Sequence, residues 1–214
     1  MSKFFLPGCN IKARYKRESE KLKEYLEQRE HAEIAGCCKT FCHEADRRDS
    51  AIVICNNCAA IMEESSQIEK IEFVWEIIDR DSDFPFPDYH GEKMIIQDCW
   101  RACEKRKVQD AIRSLMKKIN IRIVELDEIY EKTKFCGADL LEPCTEIEKK
   151  LAPQRYAVNG AKMYKPLSIP EQDEYLQNHC RQITTEKVVC YCTSCVEGIN
   201  RGGKQGVHLL ELLF

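Results

Sequence analysis

Fourteen cysteines distinguish this 214-residue chain, which contains only nine glycines and seven prolines. In the first half, Cys9 is followed by the adjacent pair Cys37-Cys38 and by the CxxC pair Cys55 and Cys58. Adjacent cysteines rarely bond to each other, because the disulfide strains the backbone, but they can bring two thiolates to one polynuclear metal centre. Five converging thiolates exceed the four ligands of a structural zinc ion and suit an iron–sulfur cluster.

The second half carries a related set of four cysteines, Cys99, Cys136, Cys192 and Cys195, of which the last two form another CxxC pair. Four thiolates are what an ordinary 4Fe–4S cluster needs, and also what a closed tetrahedral zinc site needs. Both metals therefore stay open for this half. The remaining cysteines are predicted mainly to pack in the core or lie on loops, with Cys103 and Cys190 as possible replacement ligands.

Composition restricts the classes of function. The net charge of −3 argues against a dedicated nucleic-acid binder, and no run of 18 apolar residues predicts a transmembrane segment. The N-terminal residues lack the apolar stretch and cleavage site of a signal peptide, so the expected location is the cytoplasm. Structural disulfides are rare in that compartment, and clustered cysteines there are usually metal ligands or redox thiols.

Apolar strands precede four of these cysteines. Lys3–Leu6 leads to Cys9, and residues 51–54 run directly into Cys55; in the second half, residues 93–96 lead to Cys99, and residues 187–190 to Cys192. Each CxxC pair lies where a strand gives way to a predicted helix, so that the N-terminal dipole of the helix stabilises thiolate charge.

The same order of strands, cysteines and helices occurs twice, around a linker at residues 79–91. We therefore expect an α/β fold of two pseudo-symmetric Rossmann-like repeats with parallel sheets, residues 1–92 and residues 93–214. The cysteine clusters should lie at the C-terminal ends of the strands, where open α/β sheets bind ligands. The apolar segment at residues 71–78 is ambiguous between strand and helix, and residues 207–214 form a corresponding apolar element at the end of the second half.

This arrangement resembles the CCG domain, the cysteine-rich duplicated domain found in heterodisulfide reductase and its relatives. In the first half the resemblance is carried by Phe5-Leu6-Pro7-Gly8-Cys9, Cys37-Cys38 and Ile54-Cys55-Asn56-Asn57-Cys58. In the second half it is carried by Gln97-Asp98-Cys99, Phe135-Cys136-Gly137, Cys190-Tyr191-Cys192-Thr193-Ser194-Cys195 and the Leu-Leu-Glu-Leu-Leu ending. Two departures are Lys39, where the family's first motif has glycine, and Phe135, where the first cysteine of the second pair belongs.

The resemblance implies an iron–sulfur oxidoreductase subunit that cleaves or forms a disulfide between small thiol molecules. In that family, five cysteines of one half can hold a noncubane 4Fe–4S cluster. Here the resemblance implies such a cluster at Cys9, Cys37, Cys38, Cys55 and Cys58, and a 4Fe–4S cluster or zinc at the four second-half cysteines. Electrons would come from a partner subunit, either a flavoprotein or a ferredoxin-like protein, because the sequence has no flavin or nicotinamide motif.

Two other functions remain open at this point. The protein could be a zinc-binding structural or assembly protein. It could also be a metal-free dithiol oxidoreductase that uses one of the CxxC pairs, although the other cysteines of both sets would then have no role. The metal content of the protein distinguishes all three.

Overall fold

The computed structural model describes residues 2–214. It contains eight β-strands in two sheets. The strands are β1 (Lys3–Leu6), β2 (Glu33–Ile34), β3 (Ser50–Val53), β4 (Lys70–Phe73), β5 (Lys93–Gln97), β6 (Arg122–Val124), β7 (Lys187–Cys190) and β8 (Gln205–His208).

Helices connect and flank these strands. They are α1 (Cys9–Arg14), α2 (Lys16–Glu30), α3 (Cys38–Phe41), α4 (Asn56–Ser65), α5 (Val74–Arg80), α6 (Arg106–Lys118), α7 (Glu146–Leu151), α8 (Ile169–Cys180), α9 (Thr193–Arg201) and α10 (Leu209–Leu213). A π-helix covers Gln154–Asn159, and short 3-10 turns include Trp100–Ala102 and Gly137–Leu141.

The two sheets have the same strand order. The first sheet runs β2-β1-β3-β4 and the second β6-β5-β7-β8, and every pair of neighbouring strands is parallel. The predicted α/β fold of two Rossmann-like repeats with parallel sheets is therefore confirmed. In each sheet the two central strands are the ones that lead into cysteines, which brings those cysteines to one edge of the sheet.

The central strands are apolar and buried over most of their length. In the first sheet, Phe5, Leu6 and residues 51–54 are fully buried, and in the second sheet, residues 94–96 and 188–190 are too. Continuous burial without alternation is typical of parallel strands that helices cover on both faces. The centre of each sheet is thus formed by apolar strands that precede the cysteines.

The apolar segments at residues 71–78 and 207–214 each contain the end of a strand that passes directly into a helix. β4 continues into α5, and β8 continues into α10. At both junctions a glutamate accepts a hydrogen bond from a backbone N–H at the start of the helix: Glu76 from Phe73 at 3.1 Å, and Glu211 from His208 at 2.9 Å. Such a bond satisfies a backbone donor that the first helical turn leaves unpaired.

The chain forms two compact units. The first comprises the chain up to Ile77, Thr145–Ala161 and Phe214, and the second comprises Ile78–Cys144 and Lys162–Leu213. Each sheet belongs to one unit, while the boundary of the repeats at residue 92 stays a prediction. Across residues 2–214, no helix has both the length and the apolar character needed to cross a membrane.

Candidate metal centres

The four second-half cysteines form a closed group. The sulfur atoms of Cys99, Cys136, Cys192 and Cys195 all lie within 4.8 Å of one another. Cys99 and Cys136 are 3.4 Å apart, and Cys136 and Cys192 are 4.0 Å apart. Cys192 is half-buried, whereas the other three have no exposed surface. The set has the size and the burial of a site that can hold a metal ion.

Two adjacent strands and one loop assemble this group. Cys99 follows β5, and Cys192 follows β7 and precedes the first turn of α9. Because β5 and β7 pair in parallel, their C-terminal ends lie side by side and bring the two cysteines together. Cys195 adds a second sulfur from the first turn of α9, and Cys136 comes from the loop before the 3-10 turn.

Gly137 allows the Cys136 loop to lie directly against the start of α9. Its φ is +57°, a conformation that favours glycine, and a Cβ atom there would lie 1.7 Å from the carbonyl oxygen of Ser194. The hydroxyl of Ser194 also joins the two segments, since it donates to the carbonyl of Cys136 at 2.7 Å and accepts from the N–H of Asp139 at 3.0 Å. The position of Cys136 is therefore fixed on both sides.

The four thiols shift one another's pKa values in different directions. Hydrogen bonds from Cys136, Cys195 and Cys99 hold the pKa of Cys192 well below its usual range. Its partners show the opposite shift: the bond to Cys192 raises the pKa of Cys136, and burial raises the pKa of Cys195 and of Cys99. A metal ion bound among the four sulfurs would favour the thiolate form of each of them.

A buried polar network surrounds Cys99, and no motif in the sequence indicates it. The Tyr191 hydroxyl accepts from the backbone N–H of Cys99 at 3.0 Å and donates to Asp98 at 2.9 Å. Asp98 in turn forms two bonds with the Arg113 guanidinium, at 2.7 and 3.2 Å. Although burial opposes the charge of Arg113, its bonds to Glu125 and Asp98 raise its pKa. Polar partners behind metal ligands orient them in this way.

Phe135 does not offer a ligand. Its ring stacks on the imidazole of His179, with ring centres 3.9 Å apart and planes 11° from parallel. Burial lowers the pKa of His179 to about 4, so the imidazole is neutral at pH 7. Neither Cys103 nor Cys190 belongs to the four-sulfur group. Cys190 is fully buried at the end of β7, and Cys180 is buried in the core as predicted.

The five first-half cysteines also lie near one another, in a more open arrangement. Cys9 and Cys37 are 4.0 Å apart. Cys38 shares hydrogen bonds with Cys37 and Cys58, and Cys58 shares one with Cys55. These contacts link the five sulfurs one after another. Unlike the sulfurs of the second set, they do not all lie within 4.8 Å of one another.

Four cysteines of the first set line an open cavity of about 90 Å³. The cavity is lined by Leu6, Pro7, Gly8, Cys9, Lys12, Gly36, Cys37, Cys38 and Cys58. Cys9 is exposed, Cys37 and Cys55 are half-buried, and Cys38 and Cys58 are buried. The strand order explains this placement, because Cys9 follows β1 and Cys55 follows β3, its neighbour in the sheet.

The thiol of Cys38 ionises more readily than an ordinary cysteine. A hydrogen bond from Cys58, aided by Cys37 and Lys39, lowers its pKa to about 7, although burial opposes the shift. The positive charge of Lys39, the next residue in the chain, favours the thiolate. The bond to Cys38 raises the pKa of Cys58, and burial raises the pKa of Cys9.

Asn56, between the two cysteines of the first CxxC pair, has a buried amide group without a partner. Only 3% of the residue is exposed, and neither its Oδ1 nor its Nδ2 atom forms a hydrogen bond in the described structure. A buried polar group without a partner destabilises a protein unless another group satisfies it.

Comparison of the chain with known protein families, with curated proteins and with solved structures finds no significant match. We therefore infer its function from its own residues and from the geometry of the two cysteine sets.

Proposed function

We propose that this protein is a two-centre metal–thiolate protein. The closed second set, Cys99, Cys136, Cys192 and Cys195, holds a single zinc ion, and the open first set holds a 4Fe–4S cluster that acts in thiol and disulfide redox chemistry. The observation that carries the proposal is the group of four sulfurs, mostly buried, within 4.8 Å of one another.

The distances in the second set favour one ion over a cluster. Two thiolates bound at about 2.3 Å to one tetrahedral zinc ion are about 3.8 Å apart. The observed separations of 3.4 and 4.0 Å fall on either side of this value. In a 4Fe–4S cluster each cysteine binds a different iron, so the sulfurs have to lie farther apart than the ligands of one ion. Of the two metals that the sequence left open, zinc is the better fit.

The first set suits a larger group. The set has five linked cysteines, four of which line an open cavity, and five thiolates exceed the coordination of one zinc ion. The residues that would hold the cluster are Cys9, Cys37, Cys38, Cys55 and Cys58. When bound, such a cluster supplies single electrons to a disulfide. The chain's own contribution is to present the exposed Cys9 side of the cavity to solvent, where a small thiol or disulfide can enter, and to keep Cys38 and Cys58 buried behind it.

The resemblance to the heterodisulfide reductase family supports this division, because its five-cysteine motif corresponds to the open set. The fifth position in the second half is Phe135, which cannot bind iron. Electrons reach the first centre from a partner protein, a flavoprotein or a ferredoxin-like protein, since the sequence has no motif for a flavin or nicotinamide.

Metal analysis of protein purified without oxygen tests the proposal. We expect about one zinc and about four irons per chain, and an electron paramagnetic resonance signal after one-electron oxidation or reduction. Zinc without iron would instead favour the structural or assembly protein. Protein that contains no metal but carries a reversible disulfide at a CxxC pair would favour the dithiol oxidoreductase.

A further inference from the structure

The segment Thr145–Ala161 lies in the second half of the sequence, yet it belongs to the compact unit of the first sheet. It contains α7 and the π-helix, and it packs against α4, the helix that begins within the first CxxC pair. Ser65, at the end of α4, donates to the carbonyl of Leu151 at 2.6 Å. The carboxylate of Glu64 accepts from the backbone N–H groups of Gln154 and Arg155 at 2.6 and 2.9 Å.

At the other end of α4, the segment holds Asn57, which lies between Cys55 and Cys58. The Asn57 Nδ2 group donates to Glu148 at 2.8 Å, and its Oδ1 atom accepts from the Tyr156 hydroxyl at 2.6 Å. A carboxylate can only accept and a phenol here donates, so the two partners fix which way the amide faces. Tyr156 is almost fully buried and Glu148 is half-buried.

We propose that Glu148 and Tyr156 are positioning residues for the first cysteine set, and that they act through Asn57 on the turn that carries Cys55 and Cys58. The inference rests on the proposed function only for the identity of the metal at this set. The hydrogen bonds of Asn57 to Glu148 and Tyr156 do not depend on it. Two hydrogen bonds hold one amide, the first from α7 and the second from the π-helix, and together they prevent the turn between the two cysteines from rotating.

Metal affinity depends on thiolates that already lie near their bound positions. Removal of a partner that orients a ligand typically reduces affinity tenfold or more. Cys55 is half-buried, and the turn that carries it is held by side chains 91 and 99 positions away from Asn57 in the sequence. The geometry of this turn therefore depends on the distant segment as well as on α4 itself.

The test uses the full chain with Tyr156→Phe, which removes the hydroxyl and keeps the ring. We expect iron to leave the first set about tenfold faster in the presence of a chelator. In reduced, metal-free protein, we also expect the ratio of iodoacetamide labelling at Cys55 and Cys58 to that at Cys192 and Cys195 to change several-fold. The second CxxC pair is the internal reference within the same molecule.

Glu148 provides the matched controls. Glu148→Ala should reproduce the effect, whereas Glu148→Gln should retain normal behaviour, because an amide oxygen still accepts from Asn57. The Thr145 hydroxyl donates to the Glu148 carboxylate at 2.9 Å and also caps α7 by accepting from the backbone N–H of Glu148 at 3.3 Å. Thr145→Ala removes both contacts while Asn57 keeps its partner, so it should change the first set less than Glu148→Ala does.

The outcomes separate the positioning role from the proposed function. Wild-type protein without iron would contradict the proposed function, yet the labelling ratio would still test the role of Asn57. Iron release and labelling that are the same in wild type, Tyr156→Phe and Glu148→Ala would overturn the positioning role. If Tyr156→Phe unfolds, the contrast between Glu148→Ala and Glu148→Gln decides, and equal behaviour of that pair would overturn it too.

Discussion

The two cysteine sets occupy corresponding places in two sheets of the same strand order, but they differ in how far they are closed. In the second set, Gly137 lets the loop meet the start of α9, and the Ser194 hydroxyl bonds to both sides of the contact. In the first set, the residue that corresponds to Ser194 is Asn57, which bonds to Glu148 and Tyr156 and not to the segment that carries Cys37 and Cys38. The difference shows that one topology can place its cysteines either in a closed, buried group or in a more open arrangement.

Removal of one ligand from each set is expected to have the largest and most unequal effect. Cys136→Ser should remove the second metal and lower the free energy of unfolding by more than about 4 kcal/mol, because a closed structural site contributes directly to folding. Cys38→Ser should remove the iron of the first set while the fold remains, since the apolar strands around it are complete. Thermal unfolding with metal analysis measures both. Equal destabilisation by the two variants would show that the sets do not differ in this way.

Loss of the charge that compensates Asp98 is expected to come next. Arg113→Met leaves a buried carboxylate without its cation and should cost about 3 kcal/mol or more. Arg113 and Arg106 both lie over the ring of Tyr130. Arg106→Met is the control, because the ion pair of Arg106 with Asp110 is exposed. Urea denaturation compares the two. A loss below about 1 kcal/mol for Arg113→Met would mean that the network does not support the second set.

The two glycines beside the cysteine sets provide a direct comparison. Both have a positive φ, +72° at Gly8 and +57° at Gly137. A Cβ at Gly8 would lie 3.2 Å from the Cβ of Cys55, whereas one at Gly137 would lie 1.7 Å from backbone. Both alanine variants carry backbone strain of about 1–3 kcal/mol, and at Gly8 the side chain of Cys55 also has to move by a few tenths of an ångström. Gly137→Ala should cost more than Gly8→Ala and reduce zinc retention, because backbone atoms have to move there. Thermal unfolding measures the loss of stability in each variant. A larger loss in Gly8→Ala than in Gly137→Ala would show that the first set is the more tightly packed of the two.

The smallest effect is expected at Tyr191. Tyr191→Phe removes the acceptor for the N–H of Cys99 and a donor to Asp98, at a cost of about 1–2 kcal/mol and about tenfold in zinc affinity. Tyr89→Phe is the control, because the Tyr89 hydroxyl donates to the carbonyl of Leu212. Competition with a zinc chelator measures the affinities. If both variants lose the same affinity, the bond to Cys99 does not orient the ligand.

The sequence was sufficient to predict the parallel sheets, because apolar strands that end in cysteine are a local signal, and the structure brings the predicted cysteines of each set near one another. The secondary structure of residues 71–78 and 207–214 was not predictable, because each segment divides into a strand and a helix. The junction is marked only by a glutamate, Glu76 or Glu211, that accepts a hydrogen bond from a backbone N–H. Tyr191 and Asp98 stood beside ligands in the sequence, but only the fold brings Arg113 to them. The position of Thr145–Ala161 depends on contacts with residues 86 and 90 positions away in the chain, for which one sequence carries no signal.

X-ray absorption at the zinc and iron edges, on wild type and on Cys37→Ser, tests the central claim most directly. In wild type we predict zinc with four sulfur neighbours at about 2.3 Å and no nearby metal, together with iron that has iron neighbours. In Cys37→Ser the iron signal should be lost and the zinc spectrum should be unchanged. Iron in both sets of the wild type, or loss of zinc along with iron in the variant, would contradict the assignment of different centres to the two halves.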